Sequence, residues 1–218
     1  LLYLLQQNRP DNLPVAQIIF DGMVEDKEAS GKAARLEASR VLGLVTLPVK
    51  WHCHLIDLLQ DNDPDVVNQA LESAGKSQHH DFIPFLLDAL QDIRTKVAAR
   101  EALAHYDGRI LGTLKDYLSD ATVNPEVRSH IPRVLAQIGG QSAVNILLDC
   151  LEEKDVHLRY KILKALNRLR SSDGSLVFDE RQLLNQLFAE LKTYYRHLQL
   201  LSAVNPTAVS FLEGGSRK

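Results

Sequence analysis

The chain has few of the residues and segments that mark secreted or membrane-spanning proteins. It contains two cysteines, Cys53 and Cys150, among 218 residues, too few for a disulfide framework. Both lie in apolar segments of helical pattern and are predicted to be buried free thiols of a reducing compartment. No apolar run reaches the roughly 18 residues that a membrane-spanning helix needs. Residues 1–5 are apolar but lack the basic flank and cleavage site of a signal peptide.

The usual sequence marks of catalysis are also missing. There is no glycine-rich phosphate loop, no serine or cysteine nucleophile motif, and no His-Glu dipeptide of the kind that some helical-repeat hydroxylases use. Aromatic residues make up 6% of the chain, and its formal net charge of −3 does not favour nucleic acid. We therefore expect a protein that is not an enzyme, with no catalytic, cofactor or metal site and no nucleic-acid partner.

A recurring phrase is the main feature that the sequence does contain. It occurs as DPDVVNQALESAGK (63–76), DIRTKVAAREALAHYDG (92–108), NPEVRSHIPRVLAQIGG (124–140) and KDVHLRYKILKALNRLR (154–170). Each copy opens on Asp, Asn or Lys-Asp and continues with apolar residues at helical spacing. The copies recur about every 30 residues, a period that indicates stacked helix pairs. We predict an all-α, right-handed α-α solenoid of about five helix pairs.

Each phrase is predicted to be the second helix of a pair. Side chains that can cap a helix stand at the starts, namely Asp63, Asp92, Asn124 and Asp155. In two copies proline follows in the first turn, where its missing N–H is harmless. Glycines expected in the left-handed conformation stand at the predicted ends, namely Gly43, Gly75, Gly108 and Gly139.

The remaining segments complete a solenoid over residues 1–178. First helices are predicted over 48–60, 81–91, 109–119 and 141–152, and a more divergent pair over 13–26 and 32–45. A long helix over residues 179–204 does not carry the phrase. We expect it to be a C-terminal cap that covers the last stacking face. Residues 205–218 are expected to form a flexible tail.

The apolar spacing assigns one face of each second helix to the core. In the third phrase this face holds Val127, Ile131, Val134, Leu135 and Ile138. In the fourth phrase it is predicted to hold Val156, Tyr160, Leu163, Leu166 and Leu169. Burial of each such side chain contributes about 1.5–3 kcal/mol.

The order of the last phrases resembles a known family. AAREALAHYDG, VRSHIPRVLAQIG and LRYKILKALNRLR are similar to HEAT-like repeats of the phycobilisome-lyase type. Followed by a helix with Tyr194 and Tyr195, they resemble the soluble HEAT-repeat block of bacterial transporters of the major-facilitator or nucleotide-translocase kind. The resemblance implies a HEAT/armadillo-like fold, a cytoplasmic location at the inner face of the cell membrane, and a docking role. It carries over no catalytic residue.

The first residues bear on the same expectation. The chain has no initiator methionine and opens on LLYLL. We expect it to be a piece of a larger protein, with indirect membrane attachment through segments that are not part of this sequence.

Charges are distributed unevenly between the predicted helices. Basic residues alternate with apolar ones along the second helices, which usually line the concave side of a solenoid. We predict a basic groove there for an acidic peptide or anionic ligand. Its candidate residues are Arg94, Arg100, Arg128, Arg133, Lys161, Lys164 and Arg168. The alternative is a structural ladder, in which arginines pair with turn carboxylates of the adjacent repeat. Both can hold, because the two sets of residues lie on different helical faces.

Two histidine-rich segments leave a metal site open as an alternative. In HCH (52–54) the histidines are two residues apart on a predicted helix, so they point to nearly opposite sides. HHD (79–81) lies in a short loop, where Asp81 is expected to cap the next helix. A zinc ion there would need further ligands from elsewhere in the fold. We interpret both segments as structural, with surface or partly buried histidines beside a core cysteine.

The sequence favours a protein-interaction or regulatory scaffold. Its partner is expected to be a protein or a neighbouring domain of the same polypeptide. Two other functions remain open. An accessory subunit of a bilin-lyase-type enzyme would need an aromatic-lined pocket with a reactive histidine or cysteine. A HEAT-like nucleic-acid-binding protein would need a basic concave face despite the net charge of −3.

Overall fold

The computed structural model describes residues 12–44 and 51–204. These residues form α-helices and short 3-10 turns and contain no strand. The α-helices are α1 (Asn12–Glu25), α2 (Lys32–Leu42), α3 (His52–Leu59), α4 (Pro64–Ser77), α5 (Ile83–Asp88), α6 (Lys96–Ala104), α7 (Leu111–Ser119), α8 (Pro125–Ile138), α9 (Gly140–Asp149), α10 (Val156–Ser172) and α11 (Glu180–Val204). The predicted tail at 205–218 lies outside the described residues.

The first ten helices form successive pairs that stack in two layers. The second helices of the pairs begin at residues 32, 64, 96, 125 and 156, and each packs on the second helix of the next pair. The first helices pack mainly on their own partners. The closer stacking of the second helices places them on the inner, concave side. This arrangement confirms the prediction of an all-α solenoid.

Helix starts follow the predicted capping residues in three cases of four. Asp63, Asn124 and Asp155 each accept a hydrogen bond from the backbone N–H two residues on, at 2.8–2.9 Å. Asp92 makes the same bond, but α6 begins only at Lys96 because an irregular turn intervenes. The oxygen-bearing side chains therefore fix where α4, α8 and α10 begin.

Three of the four glycines predicted to end helices in the left-handed conformation do not have a positive φ. Only Gly139 has the expected positive φ, at 80°. Gly43 has φ of −80°, and Gly108 lies in a 3-10 turn without positive φ. Gly75 is inside α4, which continues to Ser77 and ends on Gln78 with φ of 55°. Because glycine is not needed at these ends, its presence at Gly43 and Gly75 has another cause.

That cause is close packing between neighbouring inner helices. A Cβ atom on Gly75 would lie 2.8 Å from the Cα of Ala102 in α6. A Cβ atom on Gly43, just after α2, would lie 2.5 Å from the Oγ of Ser73 in α4. Both distances are shorter than side-chain contacts allow. The missing side chains therefore permit the close stacking of α2 on α4 and of α4 on α6.

The core face of α8 is confirmed, whereas that of α10 is partly wrong. Val127, Ile131, Val134 and Leu135 are buried, and Ile138 is partly buried against them. In α10, Leu166 and Leu169 are buried as predicted. The remaining buried residues of α10 are Leu158, Ile162 and Ala165, while the three predicted residues that are exposed are Val156, Tyr160 and Leu163.

The error lies in the alignment of the two phrases. α8 begins at Pro125 and α10 at Val156, an offset of 31 residues. Counted from these starts, Leu158 and Ile162 are equivalent to Val127 and Ile131. Alignment on the capping residues, rather than on the nearest apolar residue, selects the correct face.

The first half of the last helix, α11, contacts the repeats. Gln182 Nε2 donates to the carbonyl of Leu148 at 2.8 Å, and Leu183 is partly buried. Glu190 pairs with Arg159 at 2.6 Å. Exposed large apolar side chains along α11 are Leu184, Leu187, Phe188, Leu191, Tyr194, Tyr195, Leu200 and Leu201. Its capping role stays a prediction. Among the described helices, none is both long and apolar enough to cross a membrane.

Candidate functional site

Three inner-layer helices border a groove that contains most of the residues selected from the sequence. The groove has a volume of about 550 Å³. We call it the basic groove, and its lining residues are Arg100 from α6, Ser129, His130, Arg133 and Ala136 from α8, and Lys161, Lys164, Ala165, Asn167 and Arg168 from α10. Five of the seven selected residues therefore lie together, supplied by three successive repeats.

No carboxylate of the described chain contacts the five cationic side chains of the basic groove, although Glu126 and Asp155 act on Lys161 from a distance and Glu101 acts on Arg100. Within residues 12–44 and 51–204, none of them forms an ion pair with a carboxylate. Two exposed cations elsewhere are paired: Lys115 lies 2.7 Å from Asp149, and Arg94 lies 2.7 Å from Asp92. Unpaired cations on a concave surface create a positive potential that a bound anion can neutralise.

This potential affects the groove's own titratable groups. Burial lowers the pKa of His130 to about 4, and the charges of Arg100, Lys161 and Lys96 lower it as well, while Glu126 acts in the opposite direction. Burial also lowers the pKa of Arg100 and of Lys161. His130 is therefore neutral at pH 7, and its Nε2 atom is buried with no hydrogen-bond partner in the described chain. Burial and the neighbouring cations thus both oppose a further positive charge at His130.

Arg128, also selected from the sequence, does not line the basic groove. Its side chain is buried and donates two hydrogen bonds to the carbonyl of Leu118, at 2.9 and 3.1 Å. It also pairs with Glu153 of the next turn at 2.5 Å. Burial opposes ionisation of Glu153, but the Asp155 backbone N–H and Arg128 outweigh it, so the pKa of Glu153 is lowered. Arg128 therefore connects two repeats.

The same arrangement occurs in two other repeats. Arg35, Arg128 and Arg159 are each the fourth residue of their inner helix. Arg35 lies 2.8 Å from Asp61 in the turn of the next pair, with both side chains buried. Each of the three also donates to a backbone carbonyl that precedes its own helix. Arg35 and Arg128 therefore form the predicted contacts with turn carboxylates of the next pair, whereas Arg159 pairs with Glu190 of α11.

Arg94 lies outside both the basic groove and the ladder. It sits in the turn before α6, and its guanidinium is bonded to Asp92. This contact lowers the pKa of Asp92 to about 2, mainly through the side-chain hydrogen bond from Arg94. Both side chains are exposed, at 61% and 38%. The pair closes a local turn and leaves Arg94 away from the groove.

The HCH segment (52–54) differs from its predicted environment. His52 and His54 are buried, at 5% and 7% exposure, whereas Cys53 is exposed. The expectation of a core cysteine between more exposed histidines is therefore wrong. α3 is covered on two flanks, by α1 and by the following repeat, so both histidine positions face protein. The two rings do point to different neighbours, as helical spacing requires, and His54 Nε2 lies 2.7 Å from Gln17 Nε2 on α1.

Neither cysteine forms a disulfide in the described chain, as predicted, but neither is fully buried. Cys150 is partly buried, and its Sγ lies 3.5 Å from Ser119 Oγ. Burial raises the pKa of the Cys150 thiol. A raised pKa reduces the thiolate fraction at neutral pH and makes this residue a poor nucleophile.

Sequence reasoning missed the polar residues that share the groove with the cations. Ser129, His130 and Asn167 lie on the same helical faces as Arg133 and Lys164. Their signal was spacing: His130 is three residues before Arg133, and Asn167 is three residues after Lys164.

Residues 111–182, from the start of α7 into the start of α11, match the family model described as HEAT repeats. No curated protein matches the chain. The matched region contains two full helix pairs and most of the basic groove. Together with the two-layer stacking of the five pairs in the described residues, this match supports a HEAT-like repeat architecture.

Proposed function

We propose that the chain is a non-catalytic protein-interaction scaffold whose basic groove binds an acidic segment of a protein partner. HEAT repeats support an interaction scaffold in general terms. The observation that carries the finer proposal is the basic groove itself, where five cations from α6, α8 and α10 converge without an acidic partner in the described residues.

The dimensions of the groove fit a peptide segment. Packed helices are separated by about 8–10 Å, so three inner helices span about 20 Å. An extended peptide advances about 3.3 Å per residue, so about six residues cross this distance. Arginines in the groove present planar forks that can bind a carboxylate through two hydrogen bonds. An acidic segment crossing α6, α8 and α10 would therefore meet cations from each helix.

A binding measurement with matched charge variants tests the proposal. A fluorescent peptide rich in Glu and Asp is titrated with the wild-type chain, and its anisotropy is followed. Arg133→Glu combined with Lys164→Glu changes two exposed groove residues. We expect affinity to fall roughly tenfold or more, because each reversed charge repels the peptide.

The control reverses two charges outside the groove. Arg94→Glu combined with Lys115→Glu changes the net charge equally, and both residues are exposed. We expect this variant to bind like the wild type. Equal losses in both variants, or no peptide binding by the wild type, would contradict the proposal. Tighter binding of a short duplex, falling steeply as salt rises, would instead support the nucleic-acid alternative.

The pKa of His130 provides a second readout inside the groove. A bound acidic peptide would offset the charges of Arg100 and Lys161, which lower this pKa in the free chain. We expect the pKa of His130 to rise from about 4 on peptide binding, as followed by NMR of its ring. An unchanged value with bound peptide would place the peptide elsewhere.

The resemblance of the last repeats to transporter-linked HEAT blocks supports a still finer proposal. In it the acidic segment belongs to a neighbouring domain of the same polypeptide, and the chain docks at the inner face of the cell membrane. The complete gene product tests this directly: spanning helices joined to this chain support it, and their absence contradicts it. A bilin-lyase accessory role is less well supported, because the residues that line the basic groove include no Phe, Tyr, Trp or Cys.

A further inference from the structure

The HHD segment (79–81) meets a histidine from the first helix of the preceding pair. His52 is the first residue of α3, while His79 and Asp81 lie between α4 and α5. His52 Nδ1 is 3.1 Å from Asp81 Oδ2, and His79 Nδ1 is 3.2 Å from the same oxygen. The fold therefore supplies the further ligand that the HHD segment lacks by itself.

The three ligand atoms have the spacing of a metal centre. One ligand atom from each of His52, His79 and Asp81 lies within 4.8 Å of the other two. Ligands at about 2.1 Å from a tetrahedral zinc ion lie about 3.4 Å from one another. The two nitrogen–oxygen distances of 3.1 and 3.2 Å are close to this value.

A local hydrogen bond defines the form of the His79 ring. Asp81 backbone N–H donates to His79 Nδ1 at 3.4 Å, so His79, rather than Asp81 as predicted, caps this turn. Because Nδ1 accepts this bond, it carries no proton, and an unprotonated ring nitrogen is the form that binds a metal ion. An ion at this atom would take its lone pair in place of the 3.4 Å hydrogen bond.

The cluster is rigid on one side and open on the other. The His52 side chain is 6% exposed, and its ring centroid lies 5.0 Å from that of buried Phe82. His79 and Asp81 are 34% and 39% exposed, which leaves an approach from solvent. His80 Nε2 lies 2.9 Å from Asp81 Oδ1, so the second carboxylate oxygen is held by its own partner. Such an outer contact orients a ligating carboxylate.

We propose that His52, His79 and Asp81 bind one divalent transition-metal ion of the zinc type, with water as the fourth ligand. Two imidazole nitrogens and one carboxylate suit zinc or cobalt, whereas calcium and magnesium prefer all-oxygen sites. The ion would join the start of α3 to the turn before α5. It would thus hold consecutive repeats together, independently of the basic groove.

Metal titration of the chelator-treated, untagged chain tests this site. Cobalt binding is followed by the visible absorption of the ion, and zinc binding by calorimetry. We expect one equivalent of either ion to bind, and one equivalent of zinc to raise the unfolding temperature, because the ion binds the folded state. The variants His79→Gln and Asp81→Asn should lose both effects while retaining the circular dichroism spectrum of the wild type.

The matched control lies two residues from the first ligand. His54 is as buried as His52 but faces α1, so His54→Gln should keep stoichiometric binding. No stoichiometric binding by the wild type would show a hydrogen-bonded histidine cluster only and would overturn the proposal. Undiminished binding by both His79→Gln and Asp81→Asn would overturn it as well, since the ion would then bind elsewhere.

Discussion

At the scale of single residues, the arginines of the inner helices have two separate roles. Arg128 and Arg133 are five residues apart on α8, so they point to different sides of the helix. Arg128 is buried against a carbonyl and Glu153, whereas Arg133 is exposed in the basic groove. Removing one partner of a buried ion pair costs about 3–5 kcal/mol. Variants that probe the groove should therefore leave the fourth helical position untouched.

His130 leads to a prediction about acid stability. Its pKa is about 4 in the folded chain, against an ordinary value of 6.5, because burial and the cations Arg100, Lys161 and Lys96 oppose protonation despite Glu126. The unfolded chain therefore binds the proton more tightly. The stability associated with neutral His130 is fully present above pH 6.5 and is lost as the pH falls toward 4.

Replacing the ring with a side chain that does not titrate isolates this contribution. We expect the free energy of unfolding of His130→Gln to fall less than that of the wild type between pH 6.5 and 4. Urea unfolding at a series of pH values measures both curves. All other titrating groups are common to both proteins, so parallel curves would mean that His130 does not resist protonation.

At the scale of helices, the stacking distance depends on positions without side chains. Gly75 in α4 lies against the Cα of Ala102 in α6, where a Cβ would be only 2.8 Å away. A glycine that ends a helix with a positive φ angle would be replaced by alanine only at the cost of backbone strain. Gly75 has helical φ, and Gln78 takes the left-handed position instead. The need for glycine here comes from the neighbouring helix.

Two glycine-to-alanine variants distinguish packing from helix propensity. The added methyl group of Gly75→Ala would push α4 away from α6, and overpacking of this kind destabilises a protein by about 1–3 kcal/mol. This cost exceeds the roughly 0.4–1 kcal/mol by which replacing glycine with alanine stabilises a helix. We expect net destabilisation. Gly112 in α7 has no atom within 4 Å of its would-be Cβ, so Gly112→Ala should stabilise. Both are measured by urea unfolding, and a stabilised Gly75→Ala would contradict the close approach of the two helices.

At the scale of the whole molecule, every repeat must bury the same face for the stack to continue. Val127 in α8 and Val156 in α10 both belong to apolar faces that spacing alone assigns to the core. Val127 is 3% exposed and Val156 is 68% exposed. The difference follows from position, because Val156 is the first residue of its helix and Val127 is the third.

The same substitution at both positions tests this register. Val127→Asp places an unpaired carboxylate in the stack and should destabilise by about 3 kcal/mol or more, with loss of a single cooperative transition. Val156→Asp exposes the new charge at a helix start, where an acidic side chain is favourable, so stability should be kept. Thermal unfolding followed by circular dichroism compares them. Similar losses in both variants would support the alternative register.

The amino-acid sequence by itself determined the architecture of this protein. Apolar residues at helical spacing and the capping side chains of Asp63, Asn124 and Asp155 specify the individual helices, because both signals act within one or two turns of chain. The recurrence of this pattern about every 30 residues specifies stacked helix pairs. The sequence also indicated most of the cations of the basic groove, because basic residues such as Arg133 and Lys164 occur on successive inner helices.

Only the tertiary structure decided which face each side chain meets. Arg128 is bonded to the carbonyl of Leu118 and does not line the groove, and Gly75 permits close helix packing and does not end a helix. His52 came within 3.1 Å of Asp81, 29 residues away in sequence. The physical reason is common to all three. Local spacing defines the side of a helix on which a residue lies, but the partner on that side comes from another repeat and depends on how closely the repeats stack.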